Sequence, residues 1–231
     1  MALGLRRHRR VNRSSVCFVT SGAEGARFVT LVATASRWCG SVAPVLLTDR
    51  PESWQTSAVY LAGLSRAIRS AGLLARVLPR LSAATKHIVE NPYGQRWHPA
   101  LYGTELATAV LDVAGPQALE DLTFALARES FGPILGPTLK VALALSGAKP
   151  TTVFARIDQS IRSAVQGVSA TWTPSGEQSG AVCFEYPMAA PRFTDYSWRG
   201  GIRFMFHLVG VDGSIAPCER LEADQIGRAH V

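Results

Sequence analysis

The chain has 231 residues, of which 47% are hydrophobic and 18% are charged, and its formal net charge at pH 7 is +7. This composition is typical of a globular protein and excludes a disordered one. The first 50 residues hold eight arginines and two acidic residues, whereas residues 51–231 hold sixteen basic and fifteen acidic residues. Because the larger part is nearly neutral, a nucleic-acid partner is not expected.

The cysteines and the hydropathy indicate where in the cell the protein is expected. Four cysteines, Cys17, Cys39, Cys183 and Cys218, are scattered without the paired spacing of a zinc site. In a chain of this length the pattern predicts reduced thiols and a cytoplasmic protein. There is no run of eighteen apolar residues, so no membrane span is expected.

Residues 1–56 have weak patterning and a high positive charge. Three interpretations are compatible with them: a basic tail, a weak β-hairpin that includes Val16 to Val19, or upstream DNA translated past the true start. We expect a disordered or artefactual leader, with the hairpin left open, and a folded domain over residues 57–224.

The first half of that domain predicts helices. Apolar residues at helical spacing begin at Ala58 and continue around a break at Gly72. A short amphipathic helix is predicted over Leu81–Glu90, with Ser82 as its N-cap. After a turn at Asn91–Gly94, a further helix is predicted over about Ala100–Ala114.

The middle of the chain, from Gly115 to Gly167, predicts three more helices. They cover Pro116–Phe131, Thr138–Ser146 and about Thr152–Gln166. We expect Gly132-Pro133 and Gly136-Pro137 to separate the first two, because proline removes a backbone donor and restricts the residue before it.

The apolar period then changes from 3.6 to 2. Val168 to Tyr186 predicts a β-hairpin with Trp172 and Phe184 facing the core and Cys183 and Glu185 facing outward. Ser197–Val209 fits either a strand or a helix, and its length favours a helix. With a strand over about Ser214–Leu221, the fold class is α+β, an N-terminal helical half packed on a C-terminal antiparallel sheet.

The last residues have a distinct origin in our interpretation. Ile226 to Val231 is what a common sequencing adapter encodes, and Gln225 fits the preceding bases. Gln225–Val231 is therefore expected to be an adapter-derived tail. We expect the natural chain to continue beyond Asp224.

Motifs for catalysis are weak. There is no glycine-rich nucleotide loop and no Gly-x-Ser-x-Gly motif. His87 and Glu90 have the spacing of two metal ligands, but an exposed helical face explains them better. His207 fits a core histidine.

Three further residues have a functional and a structural interpretation. His98 could ligate a metal or haem, but a structural position beside a buried Trp97 is favoured. Arg128 fits either a pocket mouth or a solvated helix end. Cys218, near Glu219 and Glu222, could bind a metal, although a buried apolar role is the default for a free cysteine.

The order of these features resembles a known group of domains. Trp97-His98-Pro99 leads into a helix, and a late hairpin, an aromatic segment and a strand bearing Cys218 follow. This order resembles an uncharacterised domain family known mainly from myxobacteria, and more distantly the 4-vinyl-reductase and haem-nitric-oxide-binding-like domains. The resemblance implies a bacterial sensory or small-molecule-binding module that works beside signalling proteins. It also implies a metal role for Cys218, but assigns no haem-ligating histidine, so the cofactor stays unknown.

The predicted function is therefore the binding of a small apolar ligand between helices and sheet, without catalysis. The predicted ligand-binding residues are Trp97, His98, Arg128, Trp172 and Phe184. Two alternatives remain: a reductase-type enzyme acting on a hydrophobic cofactor-like substrate, and a protein-interaction module without a ligand. Perturbed titratable groups in a cavity would favour the enzyme, and a filled core would favour the interaction module.

Overall fold

The computed structural model describes residues 14–22, 54–146, 150–176, 178–216 and 219–222. Predictions for the rest of the leader, for Cys39 and Cys218, and for the tail Gln225–Val231 lie outside these residues. The described part combines helices with antiparallel strands, so the α+β class is confirmed. Among the described residues, no helix has the length and apolar character needed to cross a membrane.

The elements are as follows. The helices are α1 (Ala58–Ser70), α2 (Leu74–Val77), α3 (Ala83–Glu90), α4 (Ala100–Ser146), α5 (Pro150–Phe154), α6 (Ile157–Ala164) and α7 (Thr194–Val209). Single 3₁₀ turns cover Leu78–Arg80 and Pro92–Gly94. The strands are β1 (Ser14–Gly22), β2 (Gln55–Ser57), β3 (Trp97–Pro99), β4 (Val165–Gln166), β5 (Ser169–Pro174), β6 (Ser179–Tyr186), β7 (Gly213–Ile215) and β8 (Glu219–Glu222).

The larger sheet is antiparallel and has β1 in its interior. β5 pairs with β6, β6 pairs with β1, and the other edge of β1 pairs with β7 and β8. Val16 and Phe18 of β1 are completely buried. The expectation of a disordered leader is therefore wrong for residues 14–22. A local hairpin does not explain them either, because the partners of β1 are distant in sequence.

Two of the cysteines are joined. Cys17 lies directly opposite Cys183 in the pairing of β1 with β6, and their sulfur atoms form a disulfide. The prediction of reduced thiols is wrong for this pair. It failed because the two cysteines are 166 residues apart, and only the register of β1 against β6 brings them together.

The helix predictions are confirmed in part. The Ser82 hydroxyl accepts a hydrogen bond from the Thr85 N–H and caps α3, and the ambiguous aromatic segment is helix α7. α4 is interrupted at Gly115, whose φ is +84°. The expected breaks at Gly132-Pro133 and Gly136-Pro137 are wrong, because the backbone continues as α4 to Ser146. A proline inside a helix removes one hydrogen bond, which is not always enough to end it.

The third predicted central helix is divided. α5 and α6 are separated by a short turn, and the chain leaves α6 to form β4 before Gly167, whose φ is +83°. β4, β2 and β3 make a second, small antiparallel sheet. Within α6, Ile157 and Ile161 are buried.

The buried apolar residues form two clusters. One packs α1, α2 and α3 against α4, and it includes Leu119, Leu122 and Leu126. The other packs the larger sheet against α5, α6 and α7, and it includes Phe184 and Ile157. The predicted helix Pro116–Phe131 and the hairpin therefore contribute to different clusters. The two clusters meet at α7, which crosses α4: Tyr196 packs against the first cluster, and Ile202 and Phe206 belong to the second.

Candidate functional site

A groove opens on the surface where α5 and α6 pass the outer strand β5. Its volume is about 470 Å³. It is lined by two threonines, one carboxylate, one indole and several apolar side chains: Thr151, Ala155, Ile157, Asp158, Ala170, Thr171, Trp172 and Pro174. The groove therefore lies between helices and sheet, and it is open rather than enclosed.

Trp172 is the predicted ligand-binding residue that this groove contains. Its ring stacks on Phe154, with 4.8 Å between centroids and an interplanar angle of 22°. The side chain is half-buried, and its indole Nε1 is shielded without a hydrogen-bond partner among the described residues. Buried Trp N–H groups usually find a partner. The ring is thus fixed by stacking, while its polar atom is left unpaired.

Asp158 provides the charge of the groove. It lies in the first turn of α6. Its Oδ1 accepts a hydrogen bond from the backbone N–H of Ala170 at 3.1 Å, and its Oδ2 accepts one from Arg162 Nε at 2.6 Å. The first bond fixes α6 to the outer edge of β5. Because a carboxylate has about four acceptor positions, Asp158 can still accept a donor from a ligand.

His98 is not free to ligate a metal or haem. The residue is 1% exposed. One ring nitrogen, Nε2, donates to the Pro92 carbonyl at 2.8 Å, and the other, Nδ1, accepts from Gln95 Nε2 at 2.9 Å. Because both nitrogens are bonded within the protein, this residue holds the turn Pro92–Gly94 against β3. The favoured structural interpretation is the one that the geometry supports.

The other predicted residues are dispersed. Trp97 is half-buried on β3, opposite Ser57. Arg128 is exposed on α4. Phe184 is completely buried and stacks on Trp198, with 4.2 Å between centroids. Together with His98, these residues are absent from the groove lining, so the structure does not bring the predicted set together.

No metal centre is evident in the described part of the chain. The described residues contain no group of three His, Cys, Asp or Glu side chains placed to hold a metal ion. His87 is exposed on α3. The predicted metal ligand Cys218 lies outside the described residues, so its role stays a prediction.

The groups with clearly shifted pKa values lie away from the groove. Burial raises the pKa of Tyr60 to about 12. Partial burial acts to raise the pKa of Glu105, but hydrogen bonds from Thr85 and Ser82 outweigh it and lower the value. Hydrogen bonds to Asp121 and then Glu120 raise the pKa of Arg203. The three residues lie on helices, and their pKa values are shifted by burial and by contacts between helices.

The sequence interpretation missed Asp158, Thr151 and Thr171. A usable signal was present, because Asp158 and Arg162 have the i, i+4 spacing of an ion pair on an exposed helical face. That spacing predicts a surface pair, which the structure contains. It does not predict that the carboxylate also reaches the edge of β5, since this depends on the turn between α5 and α6.

Comparison with protein-family models, with curated proteins and with solved structures finds no match to this chain.

Proposed function

We propose that the protein binds a small, largely apolar ligand in the groove between α5, α6 and β5. The observation that carries the proposal is the combination of a stacked indole and a carboxylate in one concave site. Ligand sites are typically apolar clefts with a few polar groups that fix orientation. Trp172 supplies the apolar surface, and Asp158 supplies the polar group.

A binding role is supported over catalysis by the location of the titratable groups. A reductase-type or other acid–base enzyme would be expected to have a perturbed group within its cleft. Tyr60, Glu105 and Arg203 have shifted pKa values and lie outside the groove lining. The element order that resembles sensory domains supports the same proposal, with a signalling protein as partner.

A neutral fluorescent probe tests the proposal. N-phenyl-1-naphthylamine should bind wild-type protein with an increase in emission. Ala155→Phe, which fills the groove from the turn after α5, should weaken the affinity about tenfold, or roughly 1.4 kcal/mol. Ala84→Phe is the matched control, because Ala84 is an exposed alanine on α3. Equal affinity of the two variants for the probe would show that the groove is not the binding site.

A further inference from the structure

The outer edge of β5 can be assigned residue by residue. In an antiparallel strand, the N–H and C=O of one residue point to the same neighbour, and consecutive residues alternate. The Ala170 N–H donates to Asp158 rather than to β6. Ala170 therefore faces away from β6, and by alternation so do Trp172 and Pro174.

The pairing on the far side of β6 gives the same assignment. Cys17 and Cys183 have their Cα atoms 4.1 Å apart, close to the 4.5 Å or so of a pair without mutual backbone hydrogen bonds. The backbone groups of Cys183 must then point to β5, where Thr171 lies opposite. Thr171 thus bonds to β6, and its neighbours Ala170 and Trp172 face outward.

One residue of this outer edge keeps a complete donor and acceptor pair. The Ala170 N–H is occupied by Asp158, and Pro174 has no N–H. No described residue accepts a hydrogen bond from the Trp172 N–H. Trp172 also lines the groove, and its outward-facing N–H and C=O lie on the same edge as the Ala170 N–H, which donates to the groove residue Asp158.

We propose that the ligand of the groove contains one extended amino-acid residue between two amide bonds, as in an N-acylated amino-acid amide or a very short peptide. This inference rests on the proposed function of the groove. The ligand pairs with Trp172 as a single residue of an added strand: its N–H donates to the Trp172 carbonyl, and its carbonyl accepts from the Trp172 N–H. Its apolar side chain lies against Ala155 and Ile157.

The edge restricts the ligand to about one residue. Natural edge strands avoid pairing with other chains by means of prolines and charged side chains. Here Pro174, which has no N–H, prevents further pairing on one side of Trp172. Asp158, which accepts from the Ala170 N–H, prevents it on the other side. A long strand from a protein partner would meet both, whereas a ligand with one extended residue meets neither.

Spectra of protein labelled with ¹⁵N at its five tryptophans test this inference. The Trp172 backbone signal is assigned as the one absent from Trp172→Phe. Titration with N-acetylleucine methylamide should shift that signal downfield and saturate. The ester analogue, in which oxygen replaces the leucine N–H, should bind at least about fivefold more weakly, as expected for one lost hydrogen bond of about 1 kcal/mol. Ala155→Phe should abolish the shift, and Ala84→Phe should preserve it.

The two proposals fail in different ways. If naphthylamine binding is blocked by Ala155→Phe but amide and ester bind equally, the amide inference is overturned and the proposed function stands. If the probe does not respond to Ala155→Phe, the proposed function fails. A Trp172 amide that already exchanges slowly in the ligand-free protein would overturn the inference. So would a six-residue extended peptide that binds a hundredfold more tightly than the single amide, because a protein strand would then be the preferred partner.

Discussion

Phe184 and Glu185 of β6 follow the alternation that the sequence predicts. Phe184 is completely buried and belongs to the cluster of the larger sheet, whereas Glu185 is exposed. The parity could be predicted because one face of the strand is consistently apolar, and a shift of one residue would exchange the two faces. The prediction that Cys183 faces outward with Glu185 is wrong in its burial, because Cys183 is buried and pairs with Cys17 in a strand that local patterning does not reveal.

The first prediction compares two neighbouring positions of β6. Phe184→Ala should cost about 3 to 5 kcal/mol, because it removes a fully buried ring that also stacks on Trp198. Glu185→Ala should cost no more than about 0.5 kcal/mol, since the carboxylate is exposed. Urea unfolding midpoints of the two variants, measured together, check this. A larger loss for Glu185→Ala would mean that the inward face is wrong.

Glu105 gives a pH-dependent prediction. Its Oε2 accepts hydrogen bonds from the Ser82 hydroxyl at 2.8 Å and the Thr85 hydroxyl at 2.5 Å. Its pKa is lowered from 4.5, so the folded state favours the charged form. The stabilisation is therefore present above the unfolded pKa and is lost as the pH falls through the lower folded value.

Glu105→Gln should cost about 1 to 2 kcal/mol at pH 7, and the difference from wild type should close as the pH falls from about 5 towards 3. Denaturant titrations at several pH values measure the difference. Glu90→Gln is the control, because Glu90 is an exposed carboxylate at the end of α3. A gap that stays constant with pH would show that the charge of Glu105 does not contribute.

At the scale of elements, local signals predicted where several helices begin and where α4 is interrupted. Ser82 and Gly115 act within one turn of the chain, so their effects can be predicted without knowledge of the fold. The glycine–proline pairs after Phe131 were misleading because the one backbone hydrogen bond that a proline removes does not always end a helix. The same limitation applies to α5 and α6, where the short turn between them was not evident from an uninterrupted apolar period.

The crossing of α4 and α7 gives the third prediction. A Cβ at Gly200 would overlap the Thr123 hydroxyl and the Glu120 carbonyl, whereas a Cβ at Gly201 would meet nothing within 4 Å. Gly200→Ala should therefore destabilise the protein by about 1 to 3 kcal/mol through overpacking. Gly201→Ala should be neutral or stabilising by up to about 1 kcal/mol, because alanine favours the helix.

Thermal unfolding of these two variants is a matched test, since the substitutions are chemically identical and adjacent in α7. Glu120 also pairs with Arg199 at 3.1 Å and Arg203 at 3.0 Å across this crossing. A separation of the helices should therefore weaken both contacts. If Gly200→Ala were as well tolerated as Gly201→Ala, the close approach of the helices would be contradicted.

At the scale of the whole molecule, the sequence predicted the hairpin and most helices but not how they assemble. β1 was missed because its apolar run is short and its partners are more than 150 residues away. Of the residues that line the groove, the sequence predicted only Trp172 as a ligand-binding residue. It did so because the alternation of β5 places Trp172 on the inward face. Asp158 and Thr151 join it through a turn that has no distinct sequence signal.

The fourth prediction measures the contribution of β1. A chain beginning at residue 14 should retain cooperative unfolding, whereas a chain beginning at residue 23 should lose it or melt at least about 10 °C lower. Removal of the buried Val16 and Phe18 opens a cavity in the cluster of the larger sheet. Both chains are compared in reducing buffer, so that loss of the disulfide does not contribute. Equal melting temperatures would restore the expectation of a disordered or artefactual leader.

The last prediction concerns the disulfide that fixes β1 to β6. Cys17 and Cys183 are separated by 166 residues, and closing so long a loop restricts the unfolded chain strongly. In the chain-entropy description the bond should stabilise the fold by about 3 to 5 kcal/mol. The Cys17→Ala/Cys183→Ala variant should therefore melt about 10 °C lower.

Dithiothreitol should lower the melting temperature of wild type towards that of the variant and should leave the variant unchanged. Alkylation of unfolded, unreduced protein followed by mass spectrometry should find both cysteines unmodified. If both are alkylated and dithiothreitol has no effect, the thiols are reduced as the sequence first indicated, and pairing with β6 alone retains β1.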